Sequence, residues 1–403
     1  MHVLVINAGS SSLKYEYIDT DTRKTLCSGL ADRIGLPGSS LVHRVYTEAG
    51  TTEQISQKNF PDHTAAMQEA VTLLTRGQHP VVHHPEAVKA IGHRVVHGGE
   101  AYTHTVLIND AVKADIRRLS PLVPLHNPAN LQGIAVAEAF FPQARHIAVF
   151  DTAFHQTMPA RAYRYAIPNE LYEKQGIRSF GFHGISHAYV SREAAHHLGN
   201  PGARIITLHL GNGCSMAAVQ NGRSIDTSMG LGALDGLIMG TRSGQLDPTV
   251  IFYLTETLGY KPGQVRHLLN KESGLKGLSG FSDMREVHRA ADAGEKEARL
   301  ALDMYAYRIK KFIGAYIAAM NGVDALVFTA GVGENDAAMR AQICSDLDFF
   351  GIRLDRTRNE QKSSELREIQ ISGALPLLVV PTREELAIAV ETARLITDHD
   401  ENP

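Results

Sequence analysis

Asn7-Ala8-Gly9-Ser10-Ser11-Ser12 puts an amide, a glycine and three hydroxyls into six consecutive residues, and Lys14 follows two positions later. Folded into a tight turn, these residues aim backbone N–H groups, hydroxyls and one ammonium at a common point. Such a point suits a phosphate, because it offers many donors and little negative charge. The flanks are strand-like: residues 3–6 form a short apolar run with β-branched members, and residues 14–18 alternate. The G-x-x-x-x-G-K spacing of a P-loop is absent, so the segment alone reads equally as a phosphate-binding hairpin or as an ordinary hairpin with a serine-rich tip. Half a chain later the pattern returns, with residues 205–210 apolar, Gly211-Asn212-Gly213-Cys214-Ser215 donor-rich, and residues 216–219 apolar again. Repetition at this distance predicts a duplicated domain rather than a solenoid. Two facing hairpins of this type, one per domain, describe an ATP clamp. A third element, Gly331-Val332-Gly333-Glu334-Asn335, joins a strand-like run to a helix, and its glycines let backbone approach a flat adenosine closely.

The elements that carry these turns alternate between strand-like and helical runs, which predicts α/β architecture. Helical spacing covers residues 64–75, 128–141, 186–198 and 295–320, while 89–96, 145–150, 325–328 and 375–380 read as strands. Asn127 reads as an N-cap with Pro128 at the first helical position, Asp247-Pro248 opens a helix to about residue 258, and Thr382 with Glu385 forms a capping box for a final helix. A chain of 403 residues exceeds a typical single core and predicts two domains. The boundary is placed after Asp151, giving domains 1–151 (completed by a C-terminal helix, 384–403) and 152–383.

Hydrophobic content of 43%, charged content of 21% and a net charge of −3 are ordinary for a globular protein and give no support to nucleic-acid or anionic-membrane partners. Three scattered cysteines fit reduced thiols, no apolar run approaches a membrane span, and the first strand leaves no room for a signal peptide. The expectation is a cytoplasmic protein. Twenty histidines tempt a metal reading, but no H-E-x-x-H run or Cys/His spacing accompanies them, so no structural zinc site is expected.

Together with G-H-R-V-V-H-G-G (92–99), P-L-H-N-P (124–128), F-D-T-A-F-H (150–155), F-G-F-H-G-I-S-H (180–187), M-G-T-R-S-G (239–244) and T-R-E-E-L (382–386), the three turns give the chain a resemblance along essentially its whole length. It resembles the acetate and propionate kinases, a branch of the actin-like, sugar-kinase and Hsp70 ATPase superfamily. The resemblance implies two ribonuclease H-like domains with a cleft between them. It also implies reversible, direct in-line transfer of the ATP γ-phosphoryl to acetate, giving acetyl phosphate and ADP. Implied nucleotide-binding residues are Ser10, Ser12, Lys14, His209, Leu210, Gly211, Asn212, Gly213, Asp283, Met284, Arg285, Gly331, Val332, Gly333, Glu334 and Asn335. Asn7 and Glu384 are assigned to Mg²⁺, for which Mn²⁺ can substitute. Val96, Leu125, Phe182 and Ala233 map to the acyl pocket, and a homodimer is implied.

The residue chemistry agrees with that implication. Phosphoryl transfer needs positioning and charge neutralisation more than covalent chemistry. Arg94 ends a strand beside glycines, placed for a bidentate grip on a carboxylate, with a structural ion pair as the plainer alternative. Arg242, in a glycine-flanked turn, suits the equatorial oxygens of a transferring phosphoryl. His183, just before a helix, is placed to donate to the same oxygens, although a satisfied core histidine is the alternative there and at His187 and His155. Asp151 is not expected to act as a base. A small carboxylic acid has a pKa near 4.3, about that of Glu, so the nucleophile is already ionised at neutral pH. Orienting an arginine or holding metal-bound water is the more plausible task. The chain also departs from the family pattern, with Gly232-Ala233-Leu234-Asp235 where relatives usually carry a Thr-Pro-Leu-Glu run. Loss of that proline removes volume from one pocket wall, so propionate is kept as an alternative acceptor. A non-catalytic actin- or Hsp70-like nucleotide switch is the rival from another class, and it would need no Arg94, Arg242 and apolar-pocket constellation.

Overall fold

The computed structural model describes residues 1–401. They divide into two compact units, one made of Met1–Phe154 together with the segment from Arg383 onward, the other of His155–Thr382. The first unit is built on an eight-stranded sheet ordered β5-β4-β3-β2-β1-β6-β8-β7. β1 (His2–Ala8) and β2 (Ser12–Asp19) form the serine-tipped hairpin, and β3 (Lys24–Asp32), β4 (Ser40–Thr47) and β5 (Gly50–Ser56) extend it as an antiparallel meander. On the other side of β1, β6 (Ala90–Val95) and β8 (Arg145–Phe150) run parallel, and β7 (Val106–Leu107) closes the edge antiparallel.

β1 is apolar without alternation because both of its faces are covered. Leu4 and Ile6 pack among Ala66, Met67 and Ala137 of helices His63–Arg76 and Asn127–Phe140. Helix Glu384–Glu401 lies on the opposite face, so close that a Cβ at Gly92 of β6 would fall 2.4 Å from Thr392 Oγ1. Only glycine admits that approach.

The second unit carries a six-stranded sheet ordered β11-β10-β9-β12-β14-β13. β9 (Arg204–Leu210) and β10 (Cys214–Gln220) form the second hairpin, continued by β11 (Arg223–Thr227). β12 (Ala325–Thr329) and β14 (Leu377–Val379) run parallel to β9, and β13 (Arg367–Glu368) is an antiparallel edge. Each unit thus joins a donor-rich hairpin to a parallel strand. Helix Lys296–Met320 backs the second hairpin, where Tyr305 Oη meets Cys214 Sγ at 3.1 Å.

Several local expectations are corrected. No element was expected between residues 19 and 63, yet three strands lie there; in β4 a buried position is filled by His43, whose Nδ1 pairs with Tyr15 Oη at 2.8 Å and so masks the alternation. Asn127 is not an N-cap. His126 precedes the helix, and Asn127 instead accepts from His97 N and donates to the carbonyls of His97 and Ile116. Buried backbone groups of the loop after β6 need partners more than the helix end does. The Thr382/Glu385 capping box is absent too: the helix begins at Glu384, the Thr382 hydroxyl meets Ser186 Oγ, and Glu385 pairs with Lys14. Residues 331–335 are helical, within Ala330–Asn335, rather than an open turn. The helix opened at Pro248 is α-helical over Thr249–Phe252 and then loosens into a π-turn over Tyr253–Thr257.

Candidate active site

In the first unit the hairpin tip is closed by Gly9 N donating to Ser12 O at 2.9 Å. A Cβ on Gly9 would approach Ser12 Oγ to 2.7 Å, so a side chain there would force that hydroxyl to turn away, and His63 Nε2 holds the Gly9 carbonyl at 2.7 Å. Ser10 is exposed and Ser12 half-buried, while Asn7 faces Lys14 across the hairpin. The Lys14 ammonium is engaged by carboxylates, 2.5 Å from Glu385 and 3.4 Å from Glu16. Burial opposes its charge, but the two carboxylates prevail and raise its pKa.

Arg94, near the end of β6, pairs with Asp151, which is 1% exposed at the end of β8, and its Nε lies 4.0 Å from Glu384 at the start of the C-terminal helix. Burial disfavours the Arg94 charge, and Asp151 and Glu384 outweigh it, so the pKa rises above that of a free guanidinium. The strand end after Arg94 is held by residues that sequence reasoning missed. Asn130 accepts from Val96 N and donates to the Ala8 carbonyl, tying β6 to the hairpin. Two asparagines three apart on an otherwise apolar helix were the available signal. Val96 is buried, whereas Leu125 is 53% exposed.

In the second unit His183 precedes helix Gly184–His197 in a left-handed conformation, φ 57° and ψ 25°. That conformation costs a non-glycine residue about 1 kcal/mol and is a recurrent mark of functional positions. Its ring stacks on His209 with centroids 4.2 Å apart, and its Nδ1 meets Ser215 Oγ at 2.8 Å. A Cβ built on Gly213 would stand 3.5 Å from His183 Nε2 and 3.8 Å from Arg242 Nη2, so imidazole and guanidinium flank the same bare backbone. Arg242 Nη1 donates to the Ala233 carbonyl at 2.8 Å and lies 3.5 Å from Met239 Sδ. Among the described residues it has no carboxylate partner, and burial lowers its pKa. The Met239–Gly244 turn that carries it is pressed against Asn212: a Cβ on Gly240 would fall 2.1 Å from Asn212 Oδ1. His187 and His155 are satisfied core histidines. His187 bonds Thr207 and Ser215, while His155 bonds Ser224 and the Phe182 carbonyl, and burial drops the His155 pKa to about 4.

Beside this arrangement opens a cavity of about 920 Å³. Of the expected nucleotide residues it is lined by Gly211, Asn212, Asp283, Met284, Arg285, Gly331, Val332 and Asn335, joined by Leu275, Ser282, His288, Asp336 and Ala337. Met284, Leu275 and Val332 offer apolar surface for a planar base. His288 and Asp336, bonded at 2.8 Å, offer a polar edge, and the hydrogen bond to Asp336 raises the His288 pKa against burial. Asp283 caps its helix by accepting from Arg285 N, and the Arg285 guanidinium folds back onto the same carboxylate. His209, Leu210, Gly213, Gly333 and Glu334 do not line the cavity. Glu334 spends its carboxylate on Ala330 N and Thr382 N, and its carbonyl is held by Arg340 and Arg367. Buried Arg340, which also grips the Gly333 carbonyl, was not foreseen, because an arginine in a helical run reads as solvated.

A dedicated protein cage for a metal is not present: among the described residues no three His, Cys, Asp or Glu side chains converge. Asn7 in β1 and Glu384 at the start of the C-terminal helix are oxygen donors of the first unit, and Glu384 stands 4.0 Å from Arg94 Nε. No helix among the described residues is long and apolar enough to cross a membrane.

Residues 2–390 match the acetokinase family. The chain is 50% identical to the acetate kinase of Oleidesulfovibrio alaskensis over 393 residues, 96% of this chain and 98% of that protein. The crystal structure of Porphyromonas gingivalis acetate kinase superposes with a TM-score of 0.91 at 44% identity, covering 98% of this chain and 99% of the other. A propionate kinase from Francisella tularensis gives the same TM-score at 42% identity and the same coverage. The expected mixed α/β architecture with two sheets is thereby the observed one, and it is the actin-like ATPase fold of these kinases.

Proposed function

The chain belongs to the acetokinase family and transfers phosphate to acetate, and on that premise we propose that the transfer from ATP is direct, with the acceptor carboxylate gripped by Arg94 and the moving phosphoryl met by Arg242 and His183. The observation that carries this reading is the contrast in charge compensation. Arg94 is neutralised by Asp151 and Glu384, as a group that must pair a carboxylate without binding it irreversibly. Arg242 is buried among neutral acceptors, an arrangement that favours arrival of an anion. Acetate is already ionised, so no base is required, and Asp151 has the geometry to orient Arg94. The 920 Å³ cavity is read as the adenosine site, with Met284 and Val332 against the base and Asn212 toward the phosphates. Ser10, Ser12 and Lys14 complete the phosphate contacts in this reading. Asn7 and Glu384 would hold Mg²⁺, which, when bound, neutralises charge on the phosphate oxygens. A coupled acyl phosphate assay with acetate, propionate and butyrate tests it: turnover with acetate that depends on both arginines is expected, and undiminished turnover in Arg242→Ala overturns it.

We also propose a homodimer in the cytoplasm. Three buried free cysteines support the reducing compartment. Val250, Ile251, Phe252 and Tyr253 are four consecutive apolar or aromatic residues each more than a third exposed, and Leu258 and Tyr260 extend the patch. Patches of this kind mark a covered surface, here by a second copy of the chain. Light scattering of wild type and of Phe252→Asp with Tyr253→Asp is expected to show dimer and monomer.

A further inference from the structure

Behind His183 lies a chain of hydrogen bonds that ends in the sheet. Thr207 Oγ1 meets His187 Nδ1 at 2.7 Å, His187 Nε2 meets Ser215 Oγ at 2.8 Å, and Ser215 Oγ meets His183 Nδ1 at 2.8 Å. Thr207, His187 and Ser215 are all fully buried. His183 stands just before the helix and His187 in its first turn, where His187 N donates to the His183 carbonyl, while Thr207 and Ser215 come from the two strands of the β9–β10 hairpin. Each hydroxyl owns one hydrogen, and among the described residues the Ser215 hydroxyl meets only the two rings; if both rings donated to it, its own buried hydrogen would be stranded, so the chain has two self-consistent directions. In one, Thr207 donates to His187, His187 to Ser215 and Ser215 to His183, leaving His183 with its proton on Nε2. In the other every bond reverses, His183 carries its proton on Nδ1, and the Thr207 hydrogen must turn to the Ala217 carbonyl, 3.4 Å away. A 2.7 Å contact is the far better use of that hydrogen than one at 3.4 Å.

We propose that Ser215, His187 and Thr207 are positioning residues that select the Nε2–H tautomer of His183, so that a neutral imidazole presents a fixed N–H donor over Gly213 to the phosphoryl group. Burial keeps the chain free of an imidazolium link: His187 is held neutral, its pKa far below that of a free imidazole, so it passes hydrogen-bond polarity but does not store a proton. The inference rests on the reading of His183 as a phosphoryl donor, and it adds which proton does the work and what sets it.

The test is long-range ¹⁵N–¹H spectroscopy of histidine-labelled full-length protein, with steady-state kinetics alongside. In wild type at pH 7, both His183 and His187 are expected as neutral Nε2–H tautomers with hydrogen-bonded Nδ1. An Nδ1–H tautomer at either ring overturns the proposal. Thr207→Asp replaces the donor at the far end by an acceptor and should reverse the chain. The expected result is both rings moved off the neutral Nε2–H form, with kcat lowered about 10- to 100-fold, the range seen when partners that orient a working imidazole are lost. KM for MgATP should stay within about twofold, a split that a merely structural defect would not produce. A folded Thr207→Asp variant with an unchanged His183 overturns the proposal. Should that variant not fold, Ser215→Ala serves: its His183 Nδ1 should lose the hydrogen-bonded shift and kcat should fall, and an unchanged resonance overturns the proposal. Near-wild-type kcat in His183→Ala would instead sink the donor reading, while leaving the tautomer fingerprint intact.

Discussion

Arg94, on a strand, and Arg242, in a turn, each lie beside a donor-rich hairpin and are compensated in opposite ways. In the first unit Arg94 touches Asp151 and stands near Glu384, and Lys14 is held by Glu385 and Glu16. In the second, Arg242 is held by a carbonyl and a thioether, and the hairpin is backed by hydroxyls and by His187, which burial keeps neutral. Their pKa values accordingly move apart, Arg94 upward and Arg242 downward. A charge-compensated site handles weakly bound carboxylate and cation, whereas a buried uncompensated guanidinium interacts most strongly with an anion, and most of all with one whose charge spreads in a transition state. The same supersecondary unit thus stands in two electrostatic environments, set by the side chains packed around it.

The contrast is most exposed to failure at the arginines themselves. Arg242→Ala is expected to lower kcat by about 10²–10³, the loss typical of one preorganised donor to a developing charge, with little change in KM for acetate. Arg94→Ala should instead act chiefly on KM for acetate. Equal kcat losses in both variants would erase the distinction.

Asp151→Asn keeps an acceptor but removes the buried charge that compensates Arg94. Activity should fall about 10-fold or more, because the buried guanidinium loses the charge that compensates and orients it. The pH–rate profile of what remains should keep its acidic limb. A limb present in wild type and absent in this variant would restore Asp151 as a base.

Neutral buried histidines also make a prediction about acid. Burial holds His43, His97 and His155 at about 4, below the unfolded value near 6.5. As pH falls through that window the unfolded chain binds protons that the native state refuses. Stability is therefore full above about 6.5 and is lost toward 4, by up to about 1.4 kcal/mol per pH unit for each histidine. Urea unfolding at several pH values should show this loss, and His155→Asn should flatten the slope by about one histidine's share. A slope unchanged by that substitution would show that His155 titrates normally.

The smallest effect is expected at the acyl wall. Ala233 offers its carbonyl to Arg242, a contact that proline can keep because proline retains its carbonyl. Ala233→Pro should therefore leave kcat for acetate nearly intact while raising the ratio of kcat/KM for acetate over propionate, by about 10-fold, the lower end of the range for one methylene. A ratio that is unchanged or lower would move the selectivity to Val96 or Leu125.

Some of the local readings failed for one reason. Asn127 looked like an N-cap and Glu385 like half of a capping box, but each is taken by a distant partner, the loop after β6 in one case and Lys14 in the other. Helix-end propensities of about 1 kcal/mol yield when a buried backbone group or ammonium would otherwise go unpaired. Gly331–Asn335 curled into a helix because the Glu334 side chain returns to cap Ala330 N, and buried Arg340 takes the carbonyls at the other end.

What the sequence determined by itself is the set of short-range units: the hairpins with glycine tips, the buried strands that lead into them, the glycine-flanked turn of Arg242, and hence the family and the reaction class. These depend on small, donor-rich residues at the turns, on left-handed Gly244 beside Arg242, and on runs of apolar residues, all of which act over a few positions. Tertiary structure decided how each charge is met and which way each imidazole points. Asp151 meets Arg94 across 57 residues, Ser215 meets His183 across 32, and Asn130 meets Ala8 across 122. Such pairings follow from desolvation, which belongs to the packed interior and leaves no periodic trace along the chain.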